Sequence, residues 1–226
     1  MILEDIKEIL IVTATISTIL QFMSGMLVCQ KFMKKGSTEQ ESGFPFIAGF
    51  LSCSLWFRYG LMIEDQATVL VNFIGTILMF ACVVTYYLFT PRKKVVMRQM
   101  FIVLIVIVVT HLYARYEENT KLAIKRFGLI TCCTSLVFFA APLSNLYHVI
   151  RMKNTETLPF PLILMTWVVS LQWYTYGVII KNTFMQYPNM IGFVLASFQL
   201  LLFAIYPSYQ SPNVYLKDQS ARLIIQ

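Results

Sequence analysis

Four side chains in this sequence are suited to holding a solute, and they come as two matched pairs. Trp56 and Asn72 recur as Trp173 and Asn189, each 117 residues further on. An asparagine amide offers two N–H donors and a carbonyl acceptor, a set that suits a polyhydroxylated ligand. An indole face can hold the C–H face of a saturated ring while the amide takes its hydroxyls. The plainer reading gives each amide an interhelical hydrogen bond, worth about 0.6 kcal/mol in a membrane. It gives each indole a place at the membrane interface. For a single asparagine that reading would be preferred; two amides related by a repeat favour ligand contact. Trp167 has no such asparagine and reads as core or lipid-facing.

Other chemistry is missing from the sequence. There is no Gly-rich phosphate loop, no cluster with metal-ligand spacing and no carboxylate inside an apolar run. No catalytic residue, metal or cofactor is therefore expected. Carriers driven by ion gradients usually keep a titratable carboxylate or an unwound ion site at mid-membrane. Its absence argues for passive movement. His111 and His148 sit near the ends of apolar runs and read as structural. Arg58 lies well inside a run, where the centre would cost roughly 2.5–3.5 kcal/mol. It is close enough to the run's end to snorkel.

The elements that must position these residues follow from composition. The chain has 226 residues, 58% hydrophobic and 13% charged. A soluble domain carries about 25% charged residues, so lipid must solvate this one. Seven apolar runs, at 9–29, 44–63, 68–89, 97–113, 129–149, 160–180 and 187–206, approach the roughly 20 residues that cross a bilayer as helix. They are continuous rather than alternating, which excludes a β-barrel. All five cysteines (29, 53, 82, 132 and 133) fall inside runs and read as apolar packers rather than a disulfide framework. The first run follows acidic residues and precedes no small-residue cleavage site, so it reads as a span rather than a signal peptide.

A net charge of +7 would suit nucleic acid, but its distribution points to a bilayer. Lys31, Lys34, Lys35, Arg92, Lys93, Lys94, Arg98, Arg151, Lys153, Lys217 and Arg222 flank alternate run ends, always on the same side. Glu4, Asp5, Glu8, Glu64, Asp65, Glu117 and Glu118 lie on the other, with the six basic residues Lys7, Arg115, Lys121, Lys125, Arg126 and Lys181. The positive-inside rule places the N-terminus outside and the C-terminus in the cytosol.

The repeat is wider than the four residues that opened it. Tyr59, Gly60 and Gly75 return as Tyr176, Gly177 and Gly192, and the loop residue Glu39 returns as Glu156, all at the same spacing. Such self-similarity marks a duplication. The run at 97–113 has no counterpart and reads as a spacer whose single crossing makes the two units parallel. The expected division is 9–89 for the first unit, 95–113 for the linker, 127–206 for the second unit and 207–226 for a cytosolic tail. Pro142, at the register of Gly25, is expected inside the fifth span; the seventh is expected to start near Pro188-Asn189.

Gly-Phe-Pro-Phe at 43–46, Ala-Pro-Leu-Ser at 141–144, Leu-Pro-Phe at 158–160, Trp-x-x-Tyr-Gly twice and Asn-x-x-Gly twice together resemble the SWEET sugar transporters, most like their animal members. The resemblance covers roughly residues 9–207. It implies an all-α membrane protein of seven transmembrane helices, as two parallel three-helix bundles joined by a linker helix (3+1+3). It implies a passive, bidirectional uniporter of mono- or disaccharides, glucose-like for preference, working by alternating access. The implied sugar contacts are Asn72, Asn189, Trp56 and Trp173, with Ser52 and Val169 shaping the wall one turn before each tryptophan. The implied hinges are Gly25, Pro45, Pro142 and Pro159; Gly25 departs from the family's proline. The expected setting is the plasma membrane, with the Golgi or another endomembrane as alternative. A small sugar and the lipid bilayer are the expected partners, nucleic acid is not, and assembly into homo-oligomers stays open. Two other readings remain. PQ-loop carriers of other small solutes would show Pro-Gln pairs and often a mid-membrane acid. A seven-helix receptor would lack the duplication.

Overall fold

A computed structural model describes residues 2–38, 41–137, 140–156 and 158–206. Glu39 and the tail from 207 lie outside the described residues. Among the described residues eight helices follow in order: α1 (Ile2–Lys35), α2 (Phe44–Met62), α3 (Gln66–Phe89), α4 (Lys93–Tyr116), α5 (Thr120–Val137), α6 (Ala140–Met152), α7 (Phe160–Ile179) and α8 (Thr183–Ile205).

Five of them, α1, α3, α4, α7 and α8, are long and apolar enough to cross a membrane on length and composition. Seven were expected. α2 carries Ser52, Ser54, Trp56, Arg58 and Tyr59 within its 19 residues, which lowers its apolar content. The expected fifth run falls on α5 and α6, which are described on either side of residues 138 and 139; those two lie outside the described residues.

One expectation about prolines is corrected. Pro142 lies in α6, whose first described residue, Ala140, follows residues 138 and 139, which are outside the described residues. The Pro142 side chain also lies outside the described residues. Pro188 does not begin α8 but lies inside it, because Asn182 starts the helix six residues earlier by accepting a hydrogen bond from the Met185 N–H. A polar first turn is invisible to a count of apolar residues. Similarly, α1 outruns the expected 9–29 at both ends and passes unbroken through Gly25, where an added Cβ would meet only ordinary contacts at 3.7 Å.

α3 packs against both α1 and α2, and α8 packs against α5, α6 and α7. The two sets meet where α1 touches α7 and where α2 touches α5, and α4 packs on α2 and α5. α3 buries Val71, Gly75, Met79 and Cys82 while Leu70, Phe73, Ile77 and Phe80 face outward. α4 buries only Val96, Val103 and Thr110, a stripe seven residues apart, and exposes Ile102, Ile105 and Val109. Apolar side chains so exposed are the lipid-facing surface of a membrane-embedded chain.

The duplication is visible in the backbone itself. Four described residues have positive φ: Gly36 (66°), Glu64 (58°), Lys153 (50°) and Lys181 (54°). They form two pairs at the repeat spacing, Gly36 with Lys153 and Glu64 with Lys181. Each helical hairpin closes identically. The Asp65 N–H reaches Gly60 O at 3.0 Å and the Asn182 N–H reaches Gly177 O at 2.8 Å, across a left-handed residue. This is a Schellman stop, and the same Asp65 and Asn182 cap the next helix. The glycine of each Tyr-Gly pair allows the close approach. A Cβ on Gly60 would lie 3.0 Å from the Val69 N, and one on Gly177 would lie 3.2 Å from the Gln186 N.

Candidate functional site

The sequence-derived residues converge. Trp56, Asn72, Val169, Trp173 and Asn189 line one cavity of about 180 Å³, together with Thr18, Thr68, Val71 and Met185. A second cavity of about 240 Å³ shares Trp56, Val169 and Asn189 with it and adds Ser52, Gln21, Ser135, Thr166, Ser170 and Pro188. Ser52 thus reaches this neighbouring space rather than the first. Together the two reach the range of about 300–1,000 Å³ typical of small-molecule sites. Among the described residues none that lines either cavity is ionisable in the physiological range, while hydroxyls, amides and indoles are plentiful.

Each asparagine is oriented by its own helix. The Asn72 Nδ2 donates to Thr68 O at 2.9 Å, and the Asn189 Nδ2 donates to Met185 O at 2.8 Å. The expected alternative, an amide bonded across helices, is not what the structure shows. One N–H is used locally, and the second N–H and the carbonyl oxygen of each amide remain for other partners.

The tryptophans are held from across the molecule. The Trp56 Nε1 donates to Ser135 Oγ on α5, and the Trp173 Nε1 donates to Thr18 Oγ1 on α1, both at 2.9 Å. Ser135 lies 117 residues after Thr18. Each hydroxyl donates back to its own helix, Thr18 to Ala14 O at 2.6 Å and Ser135 to Thr131 O at 3.1 Å, which turns a lone pair toward the indole. With both indole N–H groups committed, the rings offer only their faces to a ligand. Trp56 and Trp173 each cross their own tyrosine edge-on, with ring centroids 5.6 Å apart and planes at 85° in both units.

A second cross-connection sits at the hairpin end. The Tyr176 hydroxyl donates to Asp65 Oδ1, while Asp65 Oδ2 accepts from the Thr68 N–H. In the related pair, the Asn182 Nδ2 donates to the Tyr59 hydroxyl at 3.0 Å. So the residue that caps α3 is tied to α7, and the residue that caps α8 is tied to α2.

The sequence reading missed Thr18, Ser135, Thr68 and Met185, and did not see Asp65 and Asn182 as partners of the tyrosines. The constant spacing holds for all three pairs, but Thr18 with Ser135, Asp65 with Asn182 and Thr68 with Met185 are not identical residues, so a search on identity passes over them. Of the other expectations, Pro45 stands second in α2, Pro159 is the N-cap of α7 and Pro161 occupies the position matching Pro45. Trp167 bonds Ser197 Oγ at 2.9 Å within the second unit. Arg58 is half-buried, with its Nε enclosed and unpartnered. His111 Nδ1 lies 2.8 Å from Ile107 O, and the His111 ring crosses Phe127 edge-on. Cys133, unlike the four buried cysteines, faces outward.

A membrane-embedded helical chain whose two halves share one uncharged chamber is, by class, built to surround a small polar solute. Comparisons with known proteins narrow the class. Residues 8–94 and 125–211 each match the family described as "Sugar efflux transporter for intercellular exchange", two segments again 117 apart. The chain is 45% identical to "Sugar transporter SWEET1" of Drosophila pseudoobscura pseudoobscura over 94% of this chain and 96% of that one. It is 31% identical to "Sugar transporter SWEET1" of Caenorhabditis elegans over 91% of this chain and 67% of the relative. It is 30% identical to the "Bidirectional sugar transporter SWEET2a" of Oryza sativa over 86% and 82%. A solved eukaryotic SWEET transporter shares the fold with a TM-score of 0.79, covering 88% of this chain and 97% of that one at 23% identity. This chain belongs to the SWEET family and is an animal-type member of it.

Proposed function

We propose that the chain carries a mono- or disaccharide, glucose-like for preference, passively and in both directions across a membrane. The observation that carries this is the convergence of two repeat-related Trp–Asn pairs on one cavity lined by uncharged side chains. The names of the relatives support it: they are sugar transporters, and one is bidirectional. Asn72 and Asn189 take sugar hydroxyls, Trp56 and Trp173 hold the C–H faces, and Ser52 and Val169 shape the wall. No ion is coupled and no bond is made or broken.

Movement is alternating access. α1–α3 form one bundle, α5–α8 the other, and α4 is the linker, giving seven crossings as 3+1+3 with α5 and α6 counted as one. The proposed bounds are 9–89, 95–113 and 127–206, with 207–226 as tail. The hairpin end faces outward, the N-terminus with it, and the C-terminus is cytosolic at the plasma membrane. In this geometry the Tyr176–Asp65 and Tyr59–Asn182 bonds hold the outer end shut, and the second cavity leads inward. Gly25, Pro45, Pro142 and Pro159 act as hinges toward the inner end. Affinity is weak so that the sugar can leave; millimolar binding is about −4 kcal/mol.

Tracer flux of D-glucose in a hexose-uptake-deficient cell tests the reading. Asn72→Ala and Asn189→Ala are each expected to lower uptake by roughly tenfold or more at unchanged surface expression. Full uptake by both variants would discard the site.

A further inference from the structure

The cavity is symmetric in its anchors and asymmetric between them. Tryptophan faces tryptophan and asparagine faces asparagine across the repeat, but the residue one helical turn before each asparagine differs. In α3 it is Thr68; in α8 it is Met185, and both line the chamber. Thr68 is 1% exposed, and its Oγ1 is enclosed without any hydrogen-bond partner. A buried hydroxyl left unpaired forfeits the hydrogen bonds it would make in water. The usual relief, donation to a carbonyl four residues back, is not taken. That carbonyl belongs to Glu64, which lies in the left-handed turn before the helix. The Thr68 methyl is pinned: it lies 3.1 Å from where a Cβ on Gly60 would stand. The hydroxyl is therefore the arm of the side chain that is turned from α2. Met185 at the same register has a thioether, a poor hydrogen-bond partner and a good surface for C–H groups. The next pair repeats the polarity, with Ser52 on the first unit and Val169 on the second.

From this we infer that Thr68 is a specificity-determining residue. Its hydroxyl takes one particular hydroxyl of the sugar, while Met185 and Val169 hold the less polar face, so the sugar enters this pseudo-symmetric chamber in one orientation rather than two. The inference rests on the sugar-carrier reading above.

Proteoliposomes of the full chain, loaded with D-glucose and then with each of its monodeoxy analogues, test it. The wild type is expected to handle one analogue about fivefold worse than glucose because Thr68 loses its partner. In Thr68→Val the glucose concentration for half-maximal flux rises about fivefold, and that one analogue becomes equal to glucose while the other ratios stay as they were. Thr68→Ser keeps the wild-type pattern. If Thr68→Val does not reconstitute, Thr68→Ala carries the same expectation. Unchanged half-saturation and unchanged analogue ratios in the variant would overturn the role of Thr68 alone. A wild type that carries no hexose, or Asn72→Ala and Asn189→Ala variants both as active as the wild type, would overturn the sugar reading and this inference with it.

Discussion

The seam between α1 and α7 and the seam between α2 and α5 hold equivalent places in the duplicated chain and share a Trp-to-hydroxyl bond, yet they differ in what else they contain. The first is polar. The Ser17 Oγ donates to Gln172 Oε1 at 2.6 Å, and the Gln21 Nε2 donates to Thr166 Oγ1 at 2.9 Å. The second, apart from the bond of Trp56 to Ser135, is apolar. Leu55, at the register of Gln172, and Phe127 are both 0% exposed, packed with Tyr59, Ile124 and Ile130. The ties at their ends follow suit, a carboxylate for Tyr176 and an amide for Tyr59. The seams also differ in cover: α4 packs on both α2 and α5, and among the described residues no helix packs in that way on both α1 and α7. A covered seam can be filled with interlocking hydrocarbon. The uncovered one relies on bonds that can be exchanged: Ser17 has Thr13 O at 2.8 Å and Ala14 O at 3.2 Å ready for its one proton if Gln172 moves away. Duplication preserved the geometry; in the alternating access proposed above, the covered seam would serve as a pivot and the other as a sliding contact.

That contrast can be broken at several levels. The largest effect is expected from Phe127→Ala, which opens a cavity in the covered seam and costs about 3–5 kcal/mol of stability, read as a lowered Tm in detergent. Next come the tyrosines. Tyr176→Phe strips a partner from a carboxylate and should cost about 1.5–3 kcal/mol, against about 0.5–1.5 kcal/mol for Tyr59→Phe, whose amide partner is neutral. Denaturation of the two variants side by side ranks them, and equal losses would erase the distinction between the two ties. The smallest is Gln172→Leu, which gives the sliding seam the pivot's own residue. Stability should change by no more than about 0.6 kcal/mol, while glucose flux slows because hydrocarbon has replaced an exchangeable bond. Unchanged flux would remove the sliding role.

Much of this was legible before any coordinates. The spacing of 117 located the units, and Trp56, Trp173, Asn72, Asn189 and Val169 do meet around one space. What escaped were partners and ends. Thr18 holds Trp173 by a hydroxyl that serine supplies equally well in the other unit, so the chemistry was preserved while the letter changed. Helix ends escaped because hydropathy registers lipid, whereas helices begin at caps such as Asp65 and Asn182 and run on into water, as α1 does to Lys35. The polarity of the cavity walls escaped because a threonine at the start of a span reads as an ordinary first-turn residue until its hydroxyl is found without a partner.

The paired stop-and-cap turns have a mechanical consequence. With a Schellman closure on one side and a cap on the other, the residues between α2 and α3 leave no slack, so in the proposed alternating access the two helices would tilt as one stiff lever. α2 has 19 residues and is therefore about 28 Å long. A tilt of about 10° about its outer end would swing the inner end by about 5 Å, close to one helical pitch. Side-chain bonds broken at the short arm are thereby amplified into an aperture at the long one, without any helix having to unwind.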